Sequence, residues 1–301
     1  MIKVLGLGDN VCDVYLHTDT MYPGGQALNF AVYARILGAE SNFFGVNGTD
    51  AVASHVLATL DLKGIGCPHS RVTEGENGFA CVTLADGDRV FKGSNQGGVL
   101  QKTPIVLDEK DLSYIDGFDV VHTTNNGFTD SQLPKLAQCR PLLSYDFSSR
   151  WNEPDRVDRV CPFIDFGFLS CSDLSDDELL NLCKTLYEKG CGVTVATRGS
   201  RGALVYDGAN VFSQEPHLVK AIDTMGAGDS FAACVLVRVA QALEADGRGN
   251  WEDVSYRSRI LPKALADAAV FASETCLISG AFGCGKPIPD SLRPAIDRVL
   301  K

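Results

Sequence analysis

The sequence predicts an α/β fold, a doubly wound and mostly parallel sheet flanked by helices, with a small β-sheet lid beside it. Three observations predict it. Short apolar runs alternate with amphipathic stretches along most of the chain, which is how repeated strand-helix-strand units around a parallel sheet read in sequence. Two segments break that rhythm with strand patterns that no helix separates. The 301 residues, 45% hydrophobic and 22% charged, also suffice for one large α/β domain with a sizeable core.

Taken in order, residues 2–7 read as the first strand. Residues 27–37 carry apolar side chains at helical spacing, residues 42–46 read as a strand, and residues 51–60 as a helix. Later strands are expected at 120–122, 142–146, 163–169 and 192–197. The helix over 179–189 is announced by Ser175-Asp-Asp-Glu178, a capping box in which side chains at both ends satisfy helix-start N–H groups. The rhythm breaks at residues 11–17, and again at 78–84 and 89–92, which flank an Asp86-Gly87-Asp88 turn. Lid strands inserted at about 11–22 and 77–100 are the expectation. No internal repeat, low-complexity tract or long linker divides the chain, so residues 1–301 read as a single domain.

The formal charge is −11 and no run of Lys and Arg occurs, which argues against a nucleic-acid or anionic-membrane partner and for a small molecule. The N-terminal apolar run is too short for a secretory segment, and no 18 apolar residues stand in a row, so a cytoplasmic protein is expected. Asn47-Gly-Thr49 matches a glycosylation acceptor but lacks the secreted context and is read as a loop. The eleven cysteines are scattered, odd in number and without a C-x-x-C pair, so they read as unbridged thiols of a reducing compartment.

The stretch richest in chemistry is Asp223-Thr-Met-Gly-Ala-Gly-Asp-Ser-Phe-Ala-Ala-Cys-Val235, where small residues run into a long apolar helix. Gly226, Ala227 and Gly228 let a ligand approach the backbone closely. The N–H groups of the helix's first turn make the positive end of its dipole an anion site. On local chemistry alone Asp229 suits either catalysis or the ordinary preference for acids in a first turn.

This stretch resembles the C-terminal signature of ribokinase-like (PfkB family) carbohydrate kinases. The resemblance implies that Gly226, Ala227 and Gly228 stabilise the transferred phosphoryl group and that Asp229 takes the proton from a sugar hydroxyl. Phosphoryl transfer needs chiefly positioning and charge stabilisation, with one acceptor for that proton. A second stretch, Gly24-Gly-Gln-Ala-Leu-Asn-Phe-Ala-Val-Tyr-Ala-Arg-Ile-Leu-Gly38, is similar to the family's N-terminal signature. It implies that Gly25 brings backbone amides near the sugar and that Asn29 offers its hydroxyls a donor and an acceptor. Taken alone it would read as a glycine-started helix with a buried amide. Asp9, Asn10 and Asp13 follow the first strand, at the carboxyl end where open α/β sheets bind ligands. Asp13 is expected to hold substrate, and Asp9 and Asn10 to join it. Arg89 resembles a lid arginine that reaches substrate or phosphate, a solvated charge being the alternative.

For the nucleotide, Thr197-Arg-Gly-Ser-Arg-Gly202 looks like the family's adenine-side turn, with Thr197, Gly199 and Gly202 lining it; a plain hairpin turn is the alternative. Where the family places Asn-x-x-Glu to arrange magnesium-bound water, this chain has Ser170-Cys-Ser-Asp173. That departure leaves Ser170 in doubt and Asp173 as an acid acting on the metal through water. The implied cofactors are ATP and Mg²⁺, the latter held largely by phosphates and water, with a monovalent cation left open. Gly280-Ala-Phe-Gly-Cys-Gly-Lys-Pro287 imitates a phosphate-binding loop but carries Pro287 where a metal-binding hydroxyl is required. It is read as a C-terminal loop near the nucleotide. Gly6-Leu-Gly8 lacks the third glycine of a dinucleotide fingerprint.

Within the family the local similarity points to fructoselysine 6-kinases and related fructosamine kinases. It is carried by Gly8-Asp-Asn10 with Asp13, Tyr22-Pro-Gly-Gly25, Ala27-Leu-Asn29, Asp88-Arg-Val-Phe91, Asp146-Phe-Ser148 with Trp151, and Gly280-Ala-Phe-Gly283. The implied substrate is a fructosyl amine phosphorylated on its 6-hydroxyl. A kinase for fructose, ribose, 2-keto-3-deoxygluconate or a nucleoside is the alternative, and a catalytically silent sugar-binding regulator is the alternative outside enzymes. The exposed edges of the lid suggest a homodimer formed through it.

Overall fold

The computed structural model describes residues 1–85 and 88–301, with the backbone alone for residues 85, 88 and 89. The Asp86-Gly87-Asp88 turn and the side chain of Arg89 therefore lie outside the described residues. The strands are β1 (Lys3–Gly8), β2 (Val11–Tyr15), β3 (Thr20–Gly24), β4 (Glu40–Asn47), β5 (Arg71–Val72), β6 (Gly78–Ala85), β7 (Asp88–Ser94), β8 (Val120–Thr124), β9 (Leu142–Ser148), β10 (Phe166–Ser170), β11 (Val193–Thr197), β12 (Ala203–Tyr206), β13 (Val211–Gln214) and β14 (Lys286–Pro287). The helices are α1 (Gln26–Ile36), α2 (Ala51–Leu62), α3 (Val99–Lys102), α4 (Glu109–Ile115), α5 (Leu133–Leu136), α6 (Pro154–Val160), α7 (Asp176–Glu188), α8 (Ala227–Asp246), α9 (Val254–Thr275) and α10 (Arg293–Leu300).

Nine strands form the main sheet in the order β13-β12-β11-β10-β9-β8-β1-β4-β5. Only β12 and β13 run antiparallel to their neighbours. Successive side chains of a strand point to opposite faces, and here both faces are buried. Val120, Leu142 and Val195 pack with α1, α8 and α9 on one face, while Val121, Leu143 and Ala196 join the core beneath α6 and α7 on the other. The chain leaves β1 for β4 on one side and later returns to β8 on the other, so the topological switch falls between β1 and β8, where such sheets bind ligands.

Five strands form the lid sheet in the order β14-β3-β2-β6-β7. On β2, Cys12 and Val14 enter the core with Phe79, Cys81 and Ile296, so Asp13 and Tyr15 turn to the opposite face. The expected lid segments need three corrections. Residues 99 and 100 belong to α3, which packs against β4, β3 runs on to Gly24 past the expected end at about 22, and the two-residue β14 was not anticipated. Proline at position 287 hid β14, since proline is tolerated only where no ladder N–H is needed, as on this sheet edge. The strand expected from residue 163 begins at Phe166, because Pro162 lies in a 3₁₀ turn over Cys161–Phe163. The capping box at Ser175 and Glu178 has both hydrogen bonds.

All eleven cysteines are unbridged. Burial raises the thiol pKa at Cys12, Cys161, Cys171, Cys191 and Cys234, which makes them poor nucleophiles. Among the described residues, no helix is long and apolar enough to cross a membrane.

Candidate active site

The start of α8 fixes the centre of the site. Gly226 is its N-cap in a left-handed conformation, φ 76°, and a Cβ there would lie 2.5 Å from Tyr33 Oη and 2.7 Å from Ala281 Cβ. Glycine is therefore required on both counts. The N–H of Ala227 donates to Thr224 O at 3.2 Å. A Cβ built on Gly228 would meet nothing within 4 Å, so that residue faces open space at the positive end of a 20-residue helix.

Asp229 follows as the third residue of α8 and is buried. Its Oδ2 accepts a 2.6 Å hydrogen bond from Asn29 Nδ2 on α1. Using the amide nitrogen this way leaves Asn29 Oδ1 buried and without a partner among the described residues. Gly24 lies beside that oxygen: a Cβ there would lie 2.6 Å from Asp13 Oδ2 and 3.8 Å from Asn29 Oδ1. The glycine pair ahead of α1 thus allows Asp13 of the lid and Asn29 of the main domain to approach one another. Gly25, with φ 105°, caps α1 against the backbone of Asp9 and Asn10.

Two expected sugar ligands are instead engaged internally. Asp9 accepts from the N–H groups of Gln26 (2.7 Å) and Ala27 (3.2 Å) and from Thr124 Oγ1 (2.7 Å), so it anchors the N-terminus of α1. Asn10 donates to Val46 O at 3.0 Å and accepts from Asn77 Nδ2 at 2.8 Å, tying β1 to β4 and to the lid. Both residues shape the cleft from behind. The reason is positional: they continue β1 at the switch point, where the ends of three segments must be joined.

Asp146 is a site residue to which the sequence assigned no role. It lies buried near the end of β9. Burial first, then the charge of Asp229, raises its carboxyl to about 7, against a hydrogen bond from Ser148 N (2.6 Å) and the opposing influence of the Gln26 side chain. Gln26 Oε1 in turn accepts from Asn126 Nδ2 at 2.9 Å.

Asp223 was also missed, although it opens the signature itself. Its Oδ1 accepts from Met225 N (3.0 Å), and its Oδ2 accepts from Tyr15 Oη on the lid (2.6 Å) and from Gly280 N (2.8 Å). One fully buried carboxylate therefore ties the anion turn, the lid strand that carries Asp13, and the loop after α9. That loop, expected near the nucleotide, lies behind the Gly226 turn and outside the lining of the groove described below. Tyr33 Oη donates to Ala281 O, and Gly280 and Gly285 pack on the Tyr22 ring, so residues 280–287 brace the anion turn and the lid. Burial, with the charge of Asp229 next, holds the Tyr33 phenol well above its ordinary pKa, so it remains a donor.

On the other side of Gly228 a groove of about 690 Å³ opens. Ser170, Thr197, Gly199 and Gly202 line it together with Ala227 and Gly228, which brings the expected nucleotide residues onto one surface. Gly226 lies behind the turn and does not line it. Asp173 is exposed and lies outside the lining as well. A further part of the lining was not anticipated: residues 214–219 and the α9 residues Ala269, Ala272 and Ser273 form a face on which apolar Pro216, Leu218, Val219 and the alanines mix with polar side chains. Its signal in sequence was the small residues at helical spacing on α9, which read equally well as core. Arg198 pairs with Asp176, and Arg201 donates to the carbonyls of Ser172 (2.6 Å) and Leu174 (2.8 Å), so two cations stand at the rim. No group of three or more His, Cys, Asp or Glu among the described residues is arranged to hold a metal ion.

A model of the pfkB family carbohydrate kinases matches residues 2–281. The chain is 40% identical to the fructosamine kinase FrlD of Bacillus subtilis, over 95% of each chain. It is 31% identical to the fructoselysine 6-kinase of Escherichia coli, over 92% of this chain and 98% of that one. The solved structure of ribokinase from Giardia lamblia superimposes with a TM-score of 0.76 at 18% identity, covering 99% of this chain and all of that one, which establishes a ribokinase-like fold.

Proposed function

The chain belongs to the pfkB family of carbohydrate kinases and is an ATP-dependent sugar kinase; within that family we propose that it phosphorylates the 6-hydroxyl of a fructosyl amine such as fructoselysine, in a reducing cytosol. The observation that carries the catalytic reading is the Asn29 to Asp229 hydrogen bond, because it aims a buried carboxylate from the anion turn into the sugar end of the cleft. The choice of sugar rests on the names of the two sequence relatives described above.

In this reading Asp229 takes the proton of the 6-hydroxyl on its carboxylate. The turn Gly226-Ala227-Gly228 presents the positive end of α8 to the phosphoryl group being transferred. Asp13 and Asn29 hold sugar hydroxyls, and Gly25 brings backbone amides near the sugar. Asp9 and Asn10 keep α1 and the lid in place, and we assign Arg89 to the lid side of the substrate. Thr197, Gly199, Gly202 and Ser170 border the nucleotide. ATP bound with Mg²⁺ supplies the phosphoryl group with its charge partly neutralised. Mg²⁺ would be held largely by the ATP phosphates and water, with Asp173 acting on it through water. We also propose a homodimer through the lid, whose outer strand β7 leaves Phe91 58% exposed. A monomer by light scattering at micromolar concentration would remove that part.

The test is ADP release from ATP-Mg²⁺ with fructoselysine, fructose, ribose, 2-keto-3-deoxygluconate and adenosine, with the phosphorylated carbon located by NMR. Highest kcat/KM on fructoselysine with phosphate on carbon 6 is expected. Preference for another sugar would keep the kinase and overturn the substrate, and sugar binding without turnover of any would make the protein a silent regulator.

A further inference from the structure

Two arginines, Arg198 and Arg201, line the groove beside Gly228, with Glu215 as the one carboxylate among the described lining residues. A nucleoside triphosphate brings several negative charges to a protein whose own formal charge is −11, so what these two cations are free to do bears directly on its binding. They are not equally free. Arg201 spends Nη2 on the carbonyls of Ser172 (2.6 Å) and Leu174 (2.8 Å), which fastens the turn after β10. Arg198 is tied by Nη1, which donates to Asp176 at the start of α7.

The tie at Arg198 is a poor one. Its side chain is 9% exposed while that of Asp176 is 75% exposed, and an ion pair with so exposed a carboxylate is screened by water and contributes little. Its Nε is buried and has no hydrogen-bond partner among the described residues. A donor withdrawn from water is normally satisfied, and one left stranded raises the free energy of the arrangement that strands it. With Nη1 taken, the edge formed by Nε and Nη2 remains, and that fork matches two oxygens of one phosphate. The position suits such a partner. Arg198 lines the groove directly beyond Thr197, which lines it too, as does Ser170, the residue paired with Thr197 across β10 and β11. Asp173 is exposed and outside the lining, so the charged group that the ends of these two strands offer a ligand is a cation.

We propose that Arg198 is a phosphate ligand of the bound nucleotide: when a nucleoside di- or triphosphate enters the groove, the guanidinium turns away from Asp176 and closes the edge of Nε and Nη2 on phosphate oxygens. The assignment rests on the reading of this groove as the nucleotide site. The exchange satisfies the stranded donor, and it adds a second source of positive potential to the one at the start of α8. Asp176 then acts as a holder that keeps the guanidinium in reserve while the groove is empty.

The experiment measures dissociation constants for adenosine, ADP and ATP by titration calorimetry in the wild-type protein, in Arg198→Gln, in Arg198→Lys and in Asp176→Asn, with melting temperatures to verify folding. In Arg198→Gln, ADP and ATP are expected to bind more weakly by about tenfold or more, the size of a lost charge-assisted contact, while adenosine changes by less than about twofold. Arg198→Lys should recover only part of that loss, because an ammonium lacks the fork. Asp176→Asn should bind ATP as tightly as wild type or more tightly, since the competitor for the guanidinium is gone. Equal losses for adenosine and ATP in Arg198→Gln would make the residue a wall of the groove and overturn the assignment. Unchanged ATP binding in that variant would overturn it as well, and so would a loss in Asp176→Asn as large as in Arg198→Gln. Should Arg198→Gln fail to fold, Arg198→Lys decides by the same comparison of ATP with adenosine. Ala272→Trp, on the α9 side of the groove, separates this failure from failure of the groove itself. Weaker ATP binding in Ala272→Trp alone would remove Arg198 and keep the nucleotide site, whereas ATP binding unchanged in both would remove the two together.

Discussion

The two ends of the cleft are built in opposite ways. At the sugar end, buried polar side chains meet across long stretches of sequence: Asn29 with Asp229, Tyr15 with Asp223, Thr124 with Asp9. At the proposed nucleotide end, contiguous segments around residues 197–203, 214–221 and 269–276 wall an open groove of mixed character, with Leu218, Val219 and the α9 alanines beside Ser, Thr and Arg side chains. Leu218, 70% exposed, lies on that wall. The contrast matches the work proposed for each end. Charge stabilisation and proton removal require dipoles fixed before the reaction, in a place water cannot reorganise. A flat aromatic base requires apolar area and tolerates looser construction. Asp229 and Gly228 stand at the boundary, one facing each side.

The sharpest way to break this contrast is at Asp229. Asparagine keeps the size of the side chain and can still accept from Asn29, so Asp229→Asn removes the base while leaving its support. The expectation is a fall in kcat by about a thousandfold, with the KM for sugar changed by less than about threefold, measured by coupled ADP release. A retained kcat would remove Asp229 from the chemistry. A large rise in KM would mean that its carboxylate chiefly binds ground-state sugar.

The same contrast explains what the sequence made legible. The turn proposed to hold the anion, the carboxylate proposed as base and the paired glycines stand in short stretches, and at Gly226 the residue type is dictated by backbone geometry, so these candidates could be named from one line of sequence. The alternation of strands and helices was readable because both faces of the sheet are buried. Hidden were the roles that arise only when distant segments meet. Asp223 looked like the first letter of a motif, and it proves to be a three-way tie between turn, lid and loop. Asp9 and Asn10 sit where ligands are expected, yet their hydrogen bonds go to the α1 N-terminus and to neighbouring strands. Ala269 and Ala272 carry no chemical signal, because a groove wall and a helix core both favour small residues at that spacing.

That groove yields the second, smaller effect. Ala272 lies on the α9 side of the nucleotide surface, opposite the turn at Gly199 and Gly202. In Ala272→Trp the indole would occupy space left for the base. KM for ATP should rise about tenfold, the equivalent of about 1.4 kcal/mol, and by more than kcat at saturating ATP falls. KM for sugar should stay within about twofold, since nothing on that wall reaches Asp13 or Asn29. A matching rise in the KM for sugar would show that the two ends are coupled and would blur the distinction between them.

The last effect is on stability rather than on turnover, and it tests whether the sugar end is as dry as its hydrogen bonds imply. Burial lifts the Asp146 carboxyl from its ordinary 3.8 to about 7 in the folded chain. Between those two values the folded protein holds a proton that the unfolded chain has released, so this residue's contribution to stability is complete below about 3.8, declines as pH rises, and is gone by about 7. Asparagine never titrates. The melting temperature of Asp146→Asn relative to wild type should therefore increase from about pH 4 to about pH 7 and level off above, when scanned by calorimetry without ligands. A difference that stays flat across that range would mean that Asp146 ionises as a surface carboxylate does. The sugar end would then be solvated like the open groove on the other side of Gly228.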